Sequence, residues 1–385
     1  MSVTAPTGFR AAGVPAGIKP SGAQDLALIV NDGPQDAAAG VFTTNRVKAA
    51  PVLWSQQVLQ ERRLRAVVLN SGGANACTGP EGFQDTHATA EKVAGVLGIG
   101  AIEVAVCSTG LIGERLPMDA VLSGVDTARD ALGSGASAGT DAATAVLTTD
   151  SAPKQAHVAG TGWSVGGFAK GAGMLAPNMA TMLGVLTTDA VIDGAELEGA
   201  LQRVSARTFG RLDVDGGTST NDTVLVLASG ASGVRPDVEE FADVLHETSS
   251  RLVRQLQHDA EGATKAVDIT VRGARSEDDA VRIGRVVAED NLVKTALFGS
   301  DPNWGRIAMA LGRAGVDFEV EAATIAVNGV RLFAGGTPAT DRTAVDLSGR
   351  DVEVVIDLGL GPAEATVLTT DLSHGYVEEN SAYSS

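Results

Sequence analysis

The stretch AKGAGMLAPNMATMLGVLTTDA, residues 169–190, places a glycine-rich turn and one proline ahead of an apolar run, with Thr181 behind Ala180 at the seam. A loop entering a strand accounts for such a threonine, since threonine suits a pleated strand. A second chemistry opens if the Ala180–Thr181 bond is cut. Thr181 then carries a free α-amine, whose unperturbed pKa of about 7.7–8.0 leaves a usable neutral fraction near pH 7, unlike a lysine at about 10.4. Nucleophile and base then belong to one residue, and no histidine is needed. Ala180 is small enough for the Thr181 hydroxyl to reach the preceding carbonyl, so an N-to-O acyl shift and ester hydrolysis would free the terminus without a protease. Gly171, Gly173 and Pro177 can hold the bend this step requires. A tetrahedral intermediate also needs donors for its oxyanion. The STG that follows the predicted strand at 101–107 offers the Thr109 hydroxyl and the Gly110 amide.

Rival chemistries lack parts. GWSVG (162–166) matches the G-x-S-x-G nucleophile elbow, but Ser164 runs into GGFAKGAGMLAP, which cannot start the helix that an elbow needs. The glycines of GTGWSVGG and KGAG have neither the G-x-G-x-x-G spacing nor the G-K-[ST] ending of a phosphate cradle. His87, His157, His246, His258 and His374 never fall at metal-ligand spacing, so no metal site is predicted. The net charge of −18 repels phosphates and argues against nucleic-acid or anionic-membrane partners, while suiting a cationic small molecule. Cys77 and Cys107 form no redox or metal pattern, no secretion signal is read, and no run reaches the ~18 apolar residues of a membrane span. These features predict a soluble cytoplasmic protein.

These groups must be carried by an alternation of strands and helices. AVVLN (66–70) reads as a buried strand emptying into SGGANACTG, and AIEVAVC (101–107) as a strand emptying into STG. HATAEKVAGVLG puts Ala90, Val93, Ala94 and Leu97 on one helical face and closes at Gly98. PMDAVLSGVDTARDAL reads as a further helix. Asp193 with Glu196 makes a capping-box pattern, and Ser276 with Asp279 caps another helix. A long amphipathic helix over about 236–258 carries Phe241, Val244, Leu245, Leu252, Val253 and Leu256 inward. Asn328–Gly329 marks a tight hairpin turn in IAVNGVRLF, and DVEVVIDLG and EATVLTT complete a strand-rich C-terminal part. VLTTD occurs at 146–150, 185–189 and 367–371; each copy reads as a strand exit, with a ligand-directed hydroxyl left open. With 385 residues, 44% apolar content and 47 glycines, the chain suggests two domains or one large α/β unit.

The opening stretch resembles the self-cleaving segment of the ornithine acetyltransferase (glutamate N-acetyltransferase) family, in which the bond before the Thr of A-T-M-L is cut. The resemblance extends, in order, through NSGGANACTG (70–79), STGLIGERLPM (108–118), TTDSAPK (148–154), DVDGGTSTNDT (213–223), DAEGATK (259–265), GSDPNWGR (299–306) and HGYVEENSAYSS at the end, and looks most like an actinobacterial enzyme of arginine biosynthesis. It implies Thr181 as nucleophile, Thr109 and Gly110 as oxyanion hole, and substrate contacts from Thr148, Lys170, Thr181, Glu261, Asn380 and Ser385. Lys170 would meet a substrate carboxylate and favour a neutral Thr181 amine; Glu261 would meet an ammonium. Gly73 stands where the family commonly has Asn, and Gly217 where Asp is frequent.

The resemblance further implies acetyl transfer from N2-acetyl-L-ornithine to L-glutamate through an acetyl-Thr181 ester, with no metal or bound cofactor; some relatives also take acetyl-CoA as donor. An aminopeptidase or amidohydrolase of the N-terminal nucleophile type is the alternative. The implied fold is α/β, stacked β-sheets flanked by helices as in N-terminal nucleophile enzymes, with a smaller second α/β part. The fragments 1–180 and 181–385 are expected to stay together, as a heterotetramer with two copies of each.

Overall fold

Runs such as AVVLNS, LGVLTT and TVLVLA carry no polar alternation, the mark of strands covered on both faces. DVEVVID alternates, as a strand with one wet face must. In the computed structural model, which describes residues 2–175 and 182–382, the first kind builds two stacked sheets and the second a separate third sheet.

The first third supplies β1 (Phe9–Val14), β2 (Leu26–Asn31), β3 (Ala37–Phe42), β4 (Ala66–Ser71) and β5 (Val104–Thr109). The middle supplies β6 (Lys154–Ala159), β7 (Ser164–Lys170), β8 (Leu183–Thr188) and β9 (Thr223–Ala228). The last third adds β10 (Ala266–Ala274), β11 (Thr324–Val327), β12 (Val330–Ala334), β13 (Thr337–Pro338), β14 (Asp351–Asp357) and β15 (Ala363–Thr370).

Sheet order is β1-β2-β4-β5 in the first sheet and β3-β9-β8-β7-β6 in the second. The third runs β13-β12-β11-β14-β10-β15. Pairings are antiparallel except β4–β5, β8–β9 and β10–β14. Alternation along β8 and β9 explains the stacking. Leu183, Val185, Leu225 and Leu227 join the core shared with the first sheet, whereas Leu186, Val224, Val226 and Ala228 face helices Gly194–Arg207 and Val238–His258. Helices Gly79–Leu97 and Met118–Ala131 cover the first sheet through Ala90, Val93, Val121 and Val125. The result is a helix–sheet–sheet–helix stack. Truncating Leu186 to Ala at its centre, where it is fully buried, would cost about 2–5 kcal/mol. The third sheet and helices Glu277–Ala288, Asn291–Phe298 and Trp304–Gly312 form their own core. The α/β class with stacked sheets and a smaller second part thus matches the sequence expectation.

Local differences have local causes. Residues 101–103 form a 3-10 turn, and the strand predicted from Ala101 begins at Val104. The long helix begins at Val238, capped by Asp237, and Val244 is only half-buried. Asp193 accepts from Ala195 N and Glu196 N, but Glu196 turns outward to Arg235, so the reciprocal half of the capping box is replaced by an ion pair. The first VLTTD copy leaves helix Ala136–Ala145 rather than a strand; the other two close β8 and β15 as expected. The hairpin holds, with Asn328 and Gly329 both at positive φ.

Candidate active site

Parallel β4 and β5 send their ends toward one side of the stack, and β5 finishes at Thr109, 1% exposed. In the sheet beneath, β7 finishes at Lys170, also 1% exposed, and the chain returns into β8 through Met182 and Leu183. Three loops close on this end: residues 146–150 behind helix Ala136–Ala145, residues 219–222 ahead of β9, and residues 259–265 behind helix Val238–His258. The last described helix, His374–Ala382, lies across the third. Together they leave one cleft, lined among others by Thr109, Gly110, Thr148, Lys170, Glu261 and Asn380. Six of the predicted residues therefore share one cavity. Ala180, Thr181 and Ser385 lie outside the described residues.

Lys170 organises the cleft floor. Its Nζ donates to Thr148 Oγ1 at 2.8 Å and Thr109 Oγ1 at 3.2 Å. Because Thr109 Oγ1 accepts that bond, its own hydrogen is left to point at a ligand. The Asp150 carboxylate, its side chain fully buried, lies 3.8 Å from Lys170 Nζ and accepts from Lys154 Nζ at 2.5 Å and Gly171 N at 2.6 Å. Lys154 continues to Asp259 at 2.5 Å. Burial alone would raise the Asp150 pKa, but Lys170 and Lys154 together outweigh it and bring it down to about 2. Burial lowers the Lys170 pKa, with Asp150 opposing that fall.

Gly110 sits at φ 123°, and a Cβ there would come within 2.7 Å of the Gly72 and Gly73 backbone. Only glycine presents its amide in this place. Asn221 ties the turn down, donating to Ala74 O at 2.7 Å and Ser108 O at 2.8 Å. Next to it, Asp222 holds the Met182 amide at 3.1 Å, and burial pushes its carboxyl well above the usual range. On the far wall Glu261 accepts from Asn380 Nδ2 at 2.8 Å. Gly262, at φ 60°, packs directly on the Tyr376 backbone, so the terminal helix is docked rather than frayed.

Ser164 stands at the opposite end of β7 from Lys170, roughly 20 Å away at ~3.3 Å per residue. It opens a strand, its amide donates to Asp189 and its carbonyl accepts from Thr188, so no elbow is formed. Among the described residues no group of three or more His, Cys, Asp or Glu is arranged to hold a metal, and no helix is long and apolar enough to cross a membrane.

Residues 10–385 match the model of the ArgJ family. The chain belongs to that family. With it, the chain belongs to the acetyltransferases. It is 60% identical, over all of its own length and 96% of the relative's, to the arginine biosynthesis bifunctional protein ArgJ of Mycolicibacterium paratuberculosis. It is 56% identical over the whole of both chains to the protein of the same name from Streptomyces coelicolor. A solved chain of the Mycobacterium tuberculosis ornithine acetyltransferase, complexed with ornithine, matches 46% of this chain and 94% of its own at 66% identity and a TM-score of 0.45.

Within this ArgJ chain, sequence reasoning passed over Asp150 and Asn221. Both sit inside quoted motifs, TTDSAPK and DVDGGTSTNDT. Their roles become visible only when β4, β5 and β7 end side by side, a juxtaposition that no local spacing encodes.

Proposed function

We propose that this ArgJ protein moves an acetyl group from N2-acetyl-L-ornithine to L-glutamate through an ester on Thr181, after cutting its own chain between Ala180 and Thr181. The observation that carries the reading is the Lys170 ammonium bonded to Thr109 Oγ1 beside the Gly110 turn, at the entrance to β8. Thr181 immediately precedes Met182 in sequence. Its hydroxyl attacks the acetyl carbonyl and its own α-amine takes the proton. The Thr109 hydroxyl and Gly110 amide receive the developing oxyanion, a task in which one donor is worth about 2.7–4 kcal/mol. The proton passes to the departing nitrogen of ornithine. The glutamate amine then attacks the ester and restores the Thr181 hydroxyl. Lys170 takes the amino-acid carboxylate, and Glu261 with Asn380 meets the far end of the substrate. The same ester could be loaded by acetyl-CoA.

The two fragments, 1–180 and 181–385, remain one body on this reading. A cut at Ala180–Thr181 leaves β8 between β7 and β9, joined to β7 by the register running from Val165↔Thr188 to Lys170↔Leu183. The first fragment also contributes β3 and β6 to that sheet. A cytoplasmic heterotetramer of two copies of each fragment completes the proposal.

The experiment mixes acetylornithine and glutamate with the protein and measures acetylglutamate and free acetate. Acetylglutamate with little acetate is expected; acetate alone would assign a hydrolase instead. Thr181→Ala should leave an intact 39.0 kDa chain and no transfer.

A further inference from the structure

Lys170 is bonded closely to two hydroxyls and only loosely to a carboxylate, although a carboxylate is within reach. Asp150 spends its short bonds elsewhere: Oδ1 on Lys154 Nζ and Gly171 N, Oδ2 on Thr148 N at 3.2 Å. Its approach to Lys170 stays at 3.8 Å. Lys154 is in turn fixed by Asp259, whose other oxygen accepts from Ser151 Oγ. A single buried carboxylate thus sits between two buried ammonium groups and joins the 148–150 loop, the end of β7 and the start of β6.

We propose that Asp150 is the positioning residue of the carboxylate subsite: divided between Lys154 and Lys170, it sustains the Lys170 charge without clamping the ammonium, which stays open to the carboxylate of an incoming amino acid. This rests on the acetyl-transfer reading above for the identity of the ligand, but not for the behaviour of Lys170. A full Asp150–Lys170 pair would present a neutral surface to a carboxylate. With no carboxylate there at all, the buried lysine would shed its proton. Division of one carboxylate between two lysines avoids both outcomes.

The charged groups facing Lys170 are Asp150 and Lys154, Glu261 from the loop behind the long helix, Asp222 ahead of β9, and Lys19 from the 15–25 loop. Asp150 raises the Lys170 pKa and Lys154 lowers it. Two substitutions in the same network should therefore move Lys170 in opposite directions. Asp150→Asn keeps the acceptor for Gly171 N but removes the charge. Lys154→Met removes the competing cation and leaves Asp150 to Lys170.

The test is a 15Nζ NMR titration of Lys170 in the full chain, assigned with Lys170→Arg, together with KM for glutamate from pH 6 to 9. Asp150→Asn should lower the Lys170 titration by about one unit or more, and Lys154→Met should raise it. In Asp150→Asn the KM should rise about tenfold at the alkaline end and return toward the wild-type value at pH 6, with kcat changed far less. Shifts of the same sign in both variants, or no shift in either, would overturn the proposal. If Asp150→Asn does not fold, the direction of the Lys154→Met shift decides alone. If the wild type transfers no acetyl group, the functional reading fails, while the titrations still decide the role of Asp150.

Discussion

Two buried clusters of charge in this molecule behave in opposite ways. At the cleft, Asp150 lies between Lys170 and Lys154, which bring its pKa down to about 2 against the effect of burial. At the joint between the stacked sheets and the third sheet, Asp213 is buried facing Glu289 and is pushed up to about 8, by burial first and Glu289 second. Nearby Lys294 is drawn down to about 8 by burial and donates to Thr369 Oγ1 at 3.1 Å. The joint is further tied by Asp213 N to Leu368 O and by Gln257 to Val267 O and Thr369 O. Both regions are buried and polar, yet Asp150, held between two lysines, stays ionised, whereas Asp213, like Asp222 beside the cleft, is driven toward its neutral form by burial. Burial sets the cost of charge, and the order in which opposite charges are interleaved decides whether that cost is met. Asp150 has two lysines to meet that cost, and Asp213, which faces Glu289, does not.

Breaking the cleft cluster should have the larger consequence. Asp150→Asn leaves two buried ammonium groups without their shared partner and should destabilise the fold by about 3–5 kcal/mol at pH 7, measured by urea unfolding. The wild-type pKa lies below the unfolded value, so this contribution is present above about pH 4 and lost as pH falls toward 2. Next in size, Thr109→Ala should reduce kcat by about 10²–10³-fold in the acetylornithine–glutamate assay while fragment content stays unchanged. The joint sharpens the contrast because its sign is reversed. Asp213 has a raised folded pKa, so its contribution is complete below about pH 4 and lost as pH rises toward 8. Asp213→Asn should therefore gain in Tm relative to wild type across that window, where Asp150→Asn is at its worst. Smallest of all, Ser164→Ala should change turnover and stability by no more than about 0.5 kcal/mol, since Ser164 meets Asp189 and Thr188 through its backbone.

Much of this was legible in the sequence because the relevant signals are local. Asp193, Ser276 and Asn328–Gly329 each fix a helix start or a turn within a few residues. The apolar runs at β4 and β8 announced buried strands. Thr109, Gly110, Thr148, Lys170, Glu261 and Asn380 were found through the ordered motifs, and the fold brings them to one cleft. What stayed hidden is relational. Asp150 reads as a strand-exit aspartate in VLTTD, and the two later copies are strand exits. Its neighbours Lys154, Lys170 and Gly171 are assembled only by the antiparallel pairing of β6 with β7, which sets Lys154 opposite Ala169. The 3-10 turn at Ala101–Glu103 escaped notice because its apolar residues continue the strand pattern without a break.

The central claim is that a hydroxyl and the amine of the same residue perform the transfer, and intact-mass analysis of an active preparation tests it most directly. Brief exposure to acetylornithine without glutamate should yield two polypeptides, with one added acetyl group on the fragment that starts at Thr181, released when glutamate is supplied. A single uncut chain that still transfers acetyl groups, or an acetyl group borne by any other residue, would contradict the account.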